Sequence, residues 1–558
     1  MAKIDRRIFF RRSAAAPALL ALTQAGWQEP GAASDSVTGP EATTSSTPPF
    51  ELEEMTIQEL RKGIETGRFT CRQISEMYLE RIEALNRQGP RLYAVLETNP
   101  EALEIAEKLD QELGQQGPRG PLHGIPILLK DNIDTADKMT TTAGSTALQG
   151  SIPLQDSFVA QRLRAAGAVL LGKANMSEWA GWKSFVRGTP GWSGRGWDGG
   201  KGGFCRNPYA LDRVPGGSSS GSGVAAAANL AAVTIGSETD GSIVGPSSRN
   251  CLVGFKPTLG VISRGGVIPI AHSQDSTGPM ARSVTDMAIV LGTLTGVDPR
   301  DPATSQSTSR VLADYTSSLD PDGLKGARIG VARAYAGFDD RVDRLLEEAL
   351  EAMRSQGASI VDPIDLPGEL SFGNEYEMEV LYHEFKADLN AYLDSLGAGA
   401  PIHSLEELID YYERHSDLEL SLFGQELLVE SQERGPLTES KYIQALATSH
   451  RLSRVEGIDR TMQAEGLDAI VGPTSGIPSV LDPTGGSRGA GGGCSTPSAM
   501  AGYPNMTVPM GFIFGLPVGI SFFGRAWSEA TLISLAYAYE QATQHRRPPK
   551  FLPTVELT

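Results

Sequence analysis

Residues 216–258 constrain this chain more than any other stretch. They begin Gly216-Gly217-Ser218-Ser219-Ser220-Gly221-Ser222-Gly223 and pass through an alanine-rich stretch and an apolar run. They then reach Gly236-Ser237-Glu238-Thr239-Asp240-Gly241-Ser242-Ile243 and close on Gly254-Phe255-Lys256-Pro257-Thr258. Side chains this small let backbone approach backbone, and glycine supplies φ values that other residues resist. The spacing predicts a helix over 225–231 and a strand over 232–236. Ser218 and Ser242, 24 residues apart, therefore stand on loops flanking one helix–strand unit, where they can lie side by side.

Helix and strand signals alternate along the rest of the body. Thr56-Ile57-Gln58-Glu59 and Thr70-Cys71-Arg72-Gln73 fit the capping-box pattern, a hydroxyl three residues before Glu or Gln. After the second, Ile74, Met77, Tyr78, Ile82 and Leu85 share one helical face. Residues 92–96, 125–130 and 169–173 read as strands, and 101–113 and 158–166 as helices. The tail returns to strands at 469–473, 505–510 and 518–523 and ends in a helix at 529–543. Such alternation predicts a layered α/β fold with a parallel or mixed sheet. Residues from about 314 to 450 are polar and helix-rich, and are expected to form a helical insertion or cap over that sheet.

The small-residue segment resembles the signature of a known family, the amidase signature enzymes, with its GGSS[GS]G loop, G[ST]xTxGS loop and G[LF]KPT tail. Upstream, Leu122-His123-Gly124-Ile125-Pro126 leading into Leu129-Lys130-Asp131-Asn132 resembles the family's lysine strand. Gly172-Lys173-Ala174-Asn175-Met176-Ser177-Glu178 resembles its next element. Gly502-Tyr503-Pro504 and Gly515-Leu516-Pro517-Val518-Gly519 fit near the end. Within the family, Glu238-Thr239-Asp240-Gly241-Ser242 and Ser273-Gln274-Asp275 resemble the bacterial peptide amidase branch.

The resemblance implies a large mixed, twisted β-sheet sandwiched between helices, with residues 51–558 as the catalytic domain. It implies cleavage of carboxamide C–N bonds through an acyl-enzyme, on a small-molecule or peptide amide, with no cofactor and no metal. Ser242 would be the nucleophile, Ser218 the bridging serine with an unusual backbone conformation, and Lys130 the base. Backbone N–H groups of Thr239, Asp240, Gly241 and Ser242 would form the oxyanion hole, with Met176 and Ser219 lining the site. A serine hydroxyl is a weak nucleophile until a neighbour removes its proton. Lys130 must therefore be neutral against an ordinary pKa of about 10.4, a shift that burial can impose. Two departures from the family stand out: Asp240 where many members have Gly, and Val244 where many carry an arginine that would anchor an acidic substrate.

Other readings of these motifs are weaker. Gly217-Ser218-Ser219-Ser220-Gly221 also matches GxSxG, the nucleophile elbow of esterase-like hydrolases centred on Ser219. That elbow follows a strand directly, whereas Asp212-Arg213-Val214-Pro215 precedes it here. Gly194-Arg195-Gly196-Trp197-Asp198-Gly199 matches GxGxxG without a leading strand or following helix, and reads as a loop near the site mouth. An amidotransferase-type subunit, which would work on charged tRNA, fits poorly with a formal charge of −18 and no basic patch. The four cysteines and seven histidines show no metal-ligand spacing.

Residues 1–25 read as a twin-arginine-type signal peptide. Arg6-Arg7 is followed by an apolar stretch over 14–22 and Thr23-Gln24-Ala25 as a cleavage site. The apolar stretch is too short for a stable membrane anchor. Residues 26–50, rich in Ser, Thr, Ala, Gly and Pro, read as a flexible linker. The expected location is periplasmic or extracellular. Replacing Arg6 and Arg7 with Lys is predicted to hold a fused reporter in the cytoplasm. Export at the normal level would overturn this reading of the N-terminus.

Overall fold

A threonine starts each of the first two helices. Thr56 Oγ1 accepts from the Glu59 amide at 3.2 Å while Glu59 accepts from the Thr56 amide at 2.8 Å. Thr70 and Gln73 repeat the exchange at 3.0 and 2.9 Å. These reciprocal bonds satisfy donors that a helix N-terminus leaves free, and they open α1 (Ile57–Glu65) and α2 (Cys71–Ile82). The computed structural model describes residues 49–184, 190–196, 203–366, 370–371, 373–483 and 492–557. The signal and nearly all of the linker read from the sequence lie outside the described residues, as does the second half of the GxGxxG match.

The strands are β1 (Val95–Thr98), β2 (Pro126–Lys130), β3 (Val169–Ala174), the short ribbon β4 (Trp192–Ser193) with β5 (Gly203–Phe204), β6 (Val233–Glu238), β7 (Val253–Lys256), β8 (Ser276–Ala281), β9 (Arg328–Val331), β10 (Ser359–Val361), β11 (Ala469–Pro473), β12 (Asn505–Ile513) and β13 (Leu516–Phe523). All but the ribbon form one mixed sheet in the order β1-β3-β2-β6-β8-β7-β12-β13-β11-β9-β10. Parallel pairs β3/β2 and β2/β6 lie on one side, β11/β9 and β9/β10 on the other, with antiparallel pairs between. β2, β3 and β6 are buried along their whole length, as a sheet covered on both faces demands.

Flanking helices include α3 (Ala102–Gln116), α4 (Phe158–Ala165), α5 (Ser220–Ala227), α6 (Val244–Arg249), α7 (Val284–Leu294), α8 (Asp340–Ser355) and the closing helix Glu529–Thr543. The helix expected at 225–231 is α5, which starts five residues earlier and already ends at Ala227. Its serines are absorbed because Ser220 Oγ donates to Gly216 O at 2.7 Å and Ser222 Oγ to Ile235 O at 3.2 Å. Its glycine lets it touch backbone: a Cβ on Gly221 would stand 2.2 Å from Ala94 O and 2.4 Å from Asn175 N.

Two sheet strands fall within the stretch read as helical from 314 to 450. β9 and β10 carry α8 between them, and Ile329, Val331, Val342, Leu346 and Leu350 join the main core. Each strand is four residues or fewer, too short to announce itself beside long polar helices. The helices that build a separate core are α9 (Glu375–Ser395) and α10 (Leu405–Arg414), joined by Glu426–Gln432. Phe385, Leu405, Leu408, Tyr412 and Leu428 pack there against Met176, Trp179 and Trp182. Cys71, Cys205, Cys251 and Cys494 are buried and free. Among the described residues no helix is long and apolar enough to cross a membrane.

Gly221→Ala is predicted to cost about 2–3 kcal/mol, because backbone on both sides leaves no side chain to yield. Urea unfolding measures it; an unchanged midpoint would show that α5 shifts freely.

Candidate active site

Strand β2 delivers Lys130, wholly buried, to the carboxyl end of the parallel part of the sheet. Neighbouring β6 brings Ser237, and the loop before α5 brings Ser218. Lys130 Nζ lies 2.7 Å from Ser218 Oγ, 2.9 Å from Ser237 Oγ and 3.0 Å from Ser237 O. Asn132 Nδ2 donates to Ser237 Oγ at 2.9 Å, fixing that hydroxyl from the other side. Burial pulls Lys130 down to about 7, against the opposing fields of Asp275 and Glu238.

The two serine loops are stitched together. The Ser219 amide donates to Ser242 O at 3.1 Å, and the Ser177 amide to Ser218 O at 3.0 Å. The Gly217–Ser218 peptide is cis. Gly241 has φ +76°, a left-handed turn that a side chain resists. Just beyond Ser242, Glu238 Oε2 accepts from the amides of Ile243 and Val244 at 2.6 and 2.9 Å, pinning the entrance to α6. Burial pushes the Glu238 carboxyl up. Thr239 Oγ1 donates to Asp275 Oδ1 at 2.5 Å, and Asp275 Oδ2 accepts from Ile270 and Ala271 amides at 2.8 and 2.9 Å. Among the described residues, the amides of Thr239, Asp240, Gly241 and Ser242 donate to no protein acceptor.

Ser218 and Ser242 line one cavity of about 300 Å³, with Trp182, Thr239, Asp240 and Leu381 among its walls. A second cavity of about 530 Å³, walled by Tyr335, Phe338 and Thr474, shares Gly217, Asp240, Arg249 and Ser495 with the first. Burial pushes the carboxyls of both Asp240 and neighbouring Glu377 up. The charge of Asp240 adds to burial in raising Glu377, so the two carboxyls titrate as a pair. The hydroxyls of Ser495 and Thr496 lie near Asp240 without completing a well-formed hydrogen bond.

Two expected lining residues are elsewhere. Met176 is wholly buried with the α9–α10 core. Ser219 is also wholly buried and donates to Ser237 O at 3.0 Å, so its hydroxyl faces β6 and not the cavity. Neither histidine beside the motifs reaches the serines. His123 bonds Leu109 O at 3.1 Å, and His272 is clamped by Asp388 at 2.9 Å and faces Glu384 at 3.5 Å. Sequence reasoning missed Ser237, Asn132 and Glu238. Only Glu238 left a signal, a carboxylate at the end of an otherwise uncharged strand.

The amidase family model matches residues 73–533. This chain belongs to the amidase signature family. The native peptide amidase of Stenotrophomonas maltophilia is 48 % identical with a TM-score of 0.84, covering 90 % of this chain and 100 % of that one. A peptide amidase bound to the competitive inhibitor chymostatin matches at 48 % identity with a TM-score of 0.85, over the same shares. A relative named as a probable amidase in Arabidopsis thaliana is 41 % identical, over 96 % of this chain and 97 % of its own length. A glutamyl-tRNA(Gln) amidotransferase chain of Alkalilimnicola ehrlichii is 34 % identical, over 89 % of this chain and 99 % of its own. The amidase is thus an amide-hydrolysing enzyme with a mixed sheet flanked by helices.

Lys130 also sets a pH signature in stability. Between about 7 and 10.5 the unfolded chain holds a proton at Lys130 that the folded amidase has lost, so folding strengthens as pH rises. Relative to Lys130→Met, the wild type is predicted to gain up to about 1.4 kcal/mol per pH unit across that window. Urea unfolding at several pH values checks it; parallel stability curves would mean that Lys130 stays charged when buried.

Proposed function

We propose that the amidase hydrolyses carboxamides through an acyl-enzyme on Ser242, with C-terminal amides of peptides as its substrate class. The observation that carries the chemistry is the 2.7 Å contact between Lys130 Nζ and Ser218 Oγ, at a lysine pulled down to about 7. A neutral amine has a lone pair for the Ser218 proton, and Ser218 in turn takes the proton of Ser242. Ser242 Oγ then bonds the substrate carbonyl carbon. The resulting oxyanion is received by the unpartnered amides of Thr239 to Ser242, where one lost donor typically costs about 10²–10³ in rate. Collapse breaks the C–N bond, and Ser218 passes the proton to the departing amine. Water, activated by the same lysine–serine path, attacks the acyl-enzyme and releases the acid.

The substrate class rests on the peptide amidases at 48 % identity and on the cavity's mixed wall. Trp182, Ile270 and Leu381 offer apolar surface for an acyl side chain, beside the polar Ser218, Ser242 and Asp240. An elbow mechanism at Ser219 is disfavoured by its complete burial.

Ser242→Ala is expected to abolish both peptide-amide turnover and labelling by a fluorophosphonate. Label persisting at Ser219 would restore the esterase reading. Lys130→Arg is expected to lose at least about 10³ in kcat/KM, since a guanidinium does not deprotonate. Retained activity would end the base assignment.

A further inference from the structure

Arg249 is the last residue of α6, the helix that begins two residues after Ser242. Its stem lies against the loop of Ser218, since a Cβ on Gly216 would come 3.2 Å from Arg249 Cδ. Its side chain lines both cavities that flank the Asp240–Gly241 turn. Most other deeply placed arginines have charged or carbonyl partners. Arg546 bonds Glu54 at 2.8 Å, Arg264 meets Asp301 at 2.5 Å, and Arg195 meets Glu97 at 2.5 Å. Among the described residues, Arg249 has no ion-pair partner and its side chain makes no hydrogen bond; Nε is buried and unpartnered.

Arg249 is half-buried with its Nε enclosed, and the loss of water around the guanidinium is offset by no ion-pair partner. An arginine keeps its proton regardless. A cation taken from bulk water without a counter-charge is costly, and a bound anion removes that cost. Asp240 does not supply the counter-charge: its carboxyl oxygens make no ion pair with Arg249, and the groups that act on it are Ser495, Thr496, Glu377 and Lys256.

We infer that Arg249 is the specificity-determining residue of the acyl-side pocket, and that it receives a carboxylate carried by the substrate. A peptide amide loses only ammonia, which is too small to bear a charge for Arg249, so the anion belongs to the acyl part. Arg249 and Ser242 line one cavity of about 300 Å³. The nearest group is therefore the side chain of the residue whose carbonyl Ser242 attacks. The substrates favoured are C-terminal α-amides of glutamate and aspartate, whose carboxylates match the planar fork of a guanidinium. Val244 removes the arginine expected two residues after the nucleophile, and Arg249 introduces a positive charge from the far end of the same helix.

This inference rests on the peptide-amide reading above, and the test separates the two. Wild-type kcat/KM is measured for N-acetyl dipeptide amides ending in Glu-NH2 and in Gln-NH2, which share shape and differ by one charge. A preference of about tenfold or more for Glu-NH2 is expected, falling at least about tenfold in Arg249→Met and partly restored in Arg249→Lys. A wild-type ratio near one, or the same ratio in Arg249→Met, overturns the inference. Turnover of the Gln amide reports amidase chemistry independently of the ratio. Ser242→Ala titrated calorimetrically with both amides gives the same comparison without turnover, and weaker binding of the Glu amide would also overturn it.

Discussion

Bringing a lysine ammonium into the interior without a carboxylate in contact is costly, and the site is arranged around Lys130, which is placed that way. Three oxygens from two serines surround its Nζ, and none belongs to a carboxylate. Asp275 and Glu238 favour the charged form only through space, and burial outweighs them. Had either reached hydrogen-bond distance, Lys130 would stay protonated and offer no lone pair. Both are instead occupied by backbone amides and a threonine hydroxyl, the contacts that shape the loops on each side of Ser242. One arrangement thus keeps the lysine neutral and holds the turn after it.

The α9–α10 layer is fastened by the same kind of buried polar contact. Lys183 Nζ donates to Glu178 Oε2 at 2.8 Å and to Glu419 O at 2.7 Å, with all three side chains fully buried. Tyr412 of α10 receives the indole N–H of Trp179 at 2.6 Å and meets Ser145 Oγ at 2.7 Å. Burial pushes Glu178 up to about 8. Apolar packing alone would let helices slide over the 176–183 loop. Directional bonds among buried polar groups fix their register, and with it the position of Leu381 on the cavity wall.

Much of this was legible in the sequence because its signals were local. The capping boxes at Thr56 and Thr70, the strand ending at Lys130 and the closing helix at 529–543 each follow from residues within a few positions of one another. The small-residue loops showed where backbones meet, and Lys130 and Ser218 do meet. What stayed hidden depended on distant partners. The serines and glycines of α5 argue against a helix until Gly216 O and Ile235 O appear to receive their hydroxyls. β9 and β10 carry too few residues to show a period, and only pairing with β11 makes them strands. Ser219 and Met176 sit in motifs yet turn into the core, since a motif fixes backbone and leaves side-chain direction to packing.

The division between chemistry and selectivity follows from that packing. Gly221 leaves no room for a side chain, since a single added carbon would lie 2.2 Å from Ala94 O, and Ser219 is wholly buried beside it. A site built from such residues orients a hydroxyl well but has little surface with which to tell one acyl group from another. Discrimination comes from the longer side chains on the cavity wall: Trp182 from the loop after β3, Leu381 from α9, Asp240 from the turn and Arg249 from α6. The charge of the cavity can then change without touching the lysine–serine contacts. Arg249 alters the field on the acyl side of Ser242, whereas the protonation of Lys130 is governed by burial and by the fields of Asp275 and Glu238.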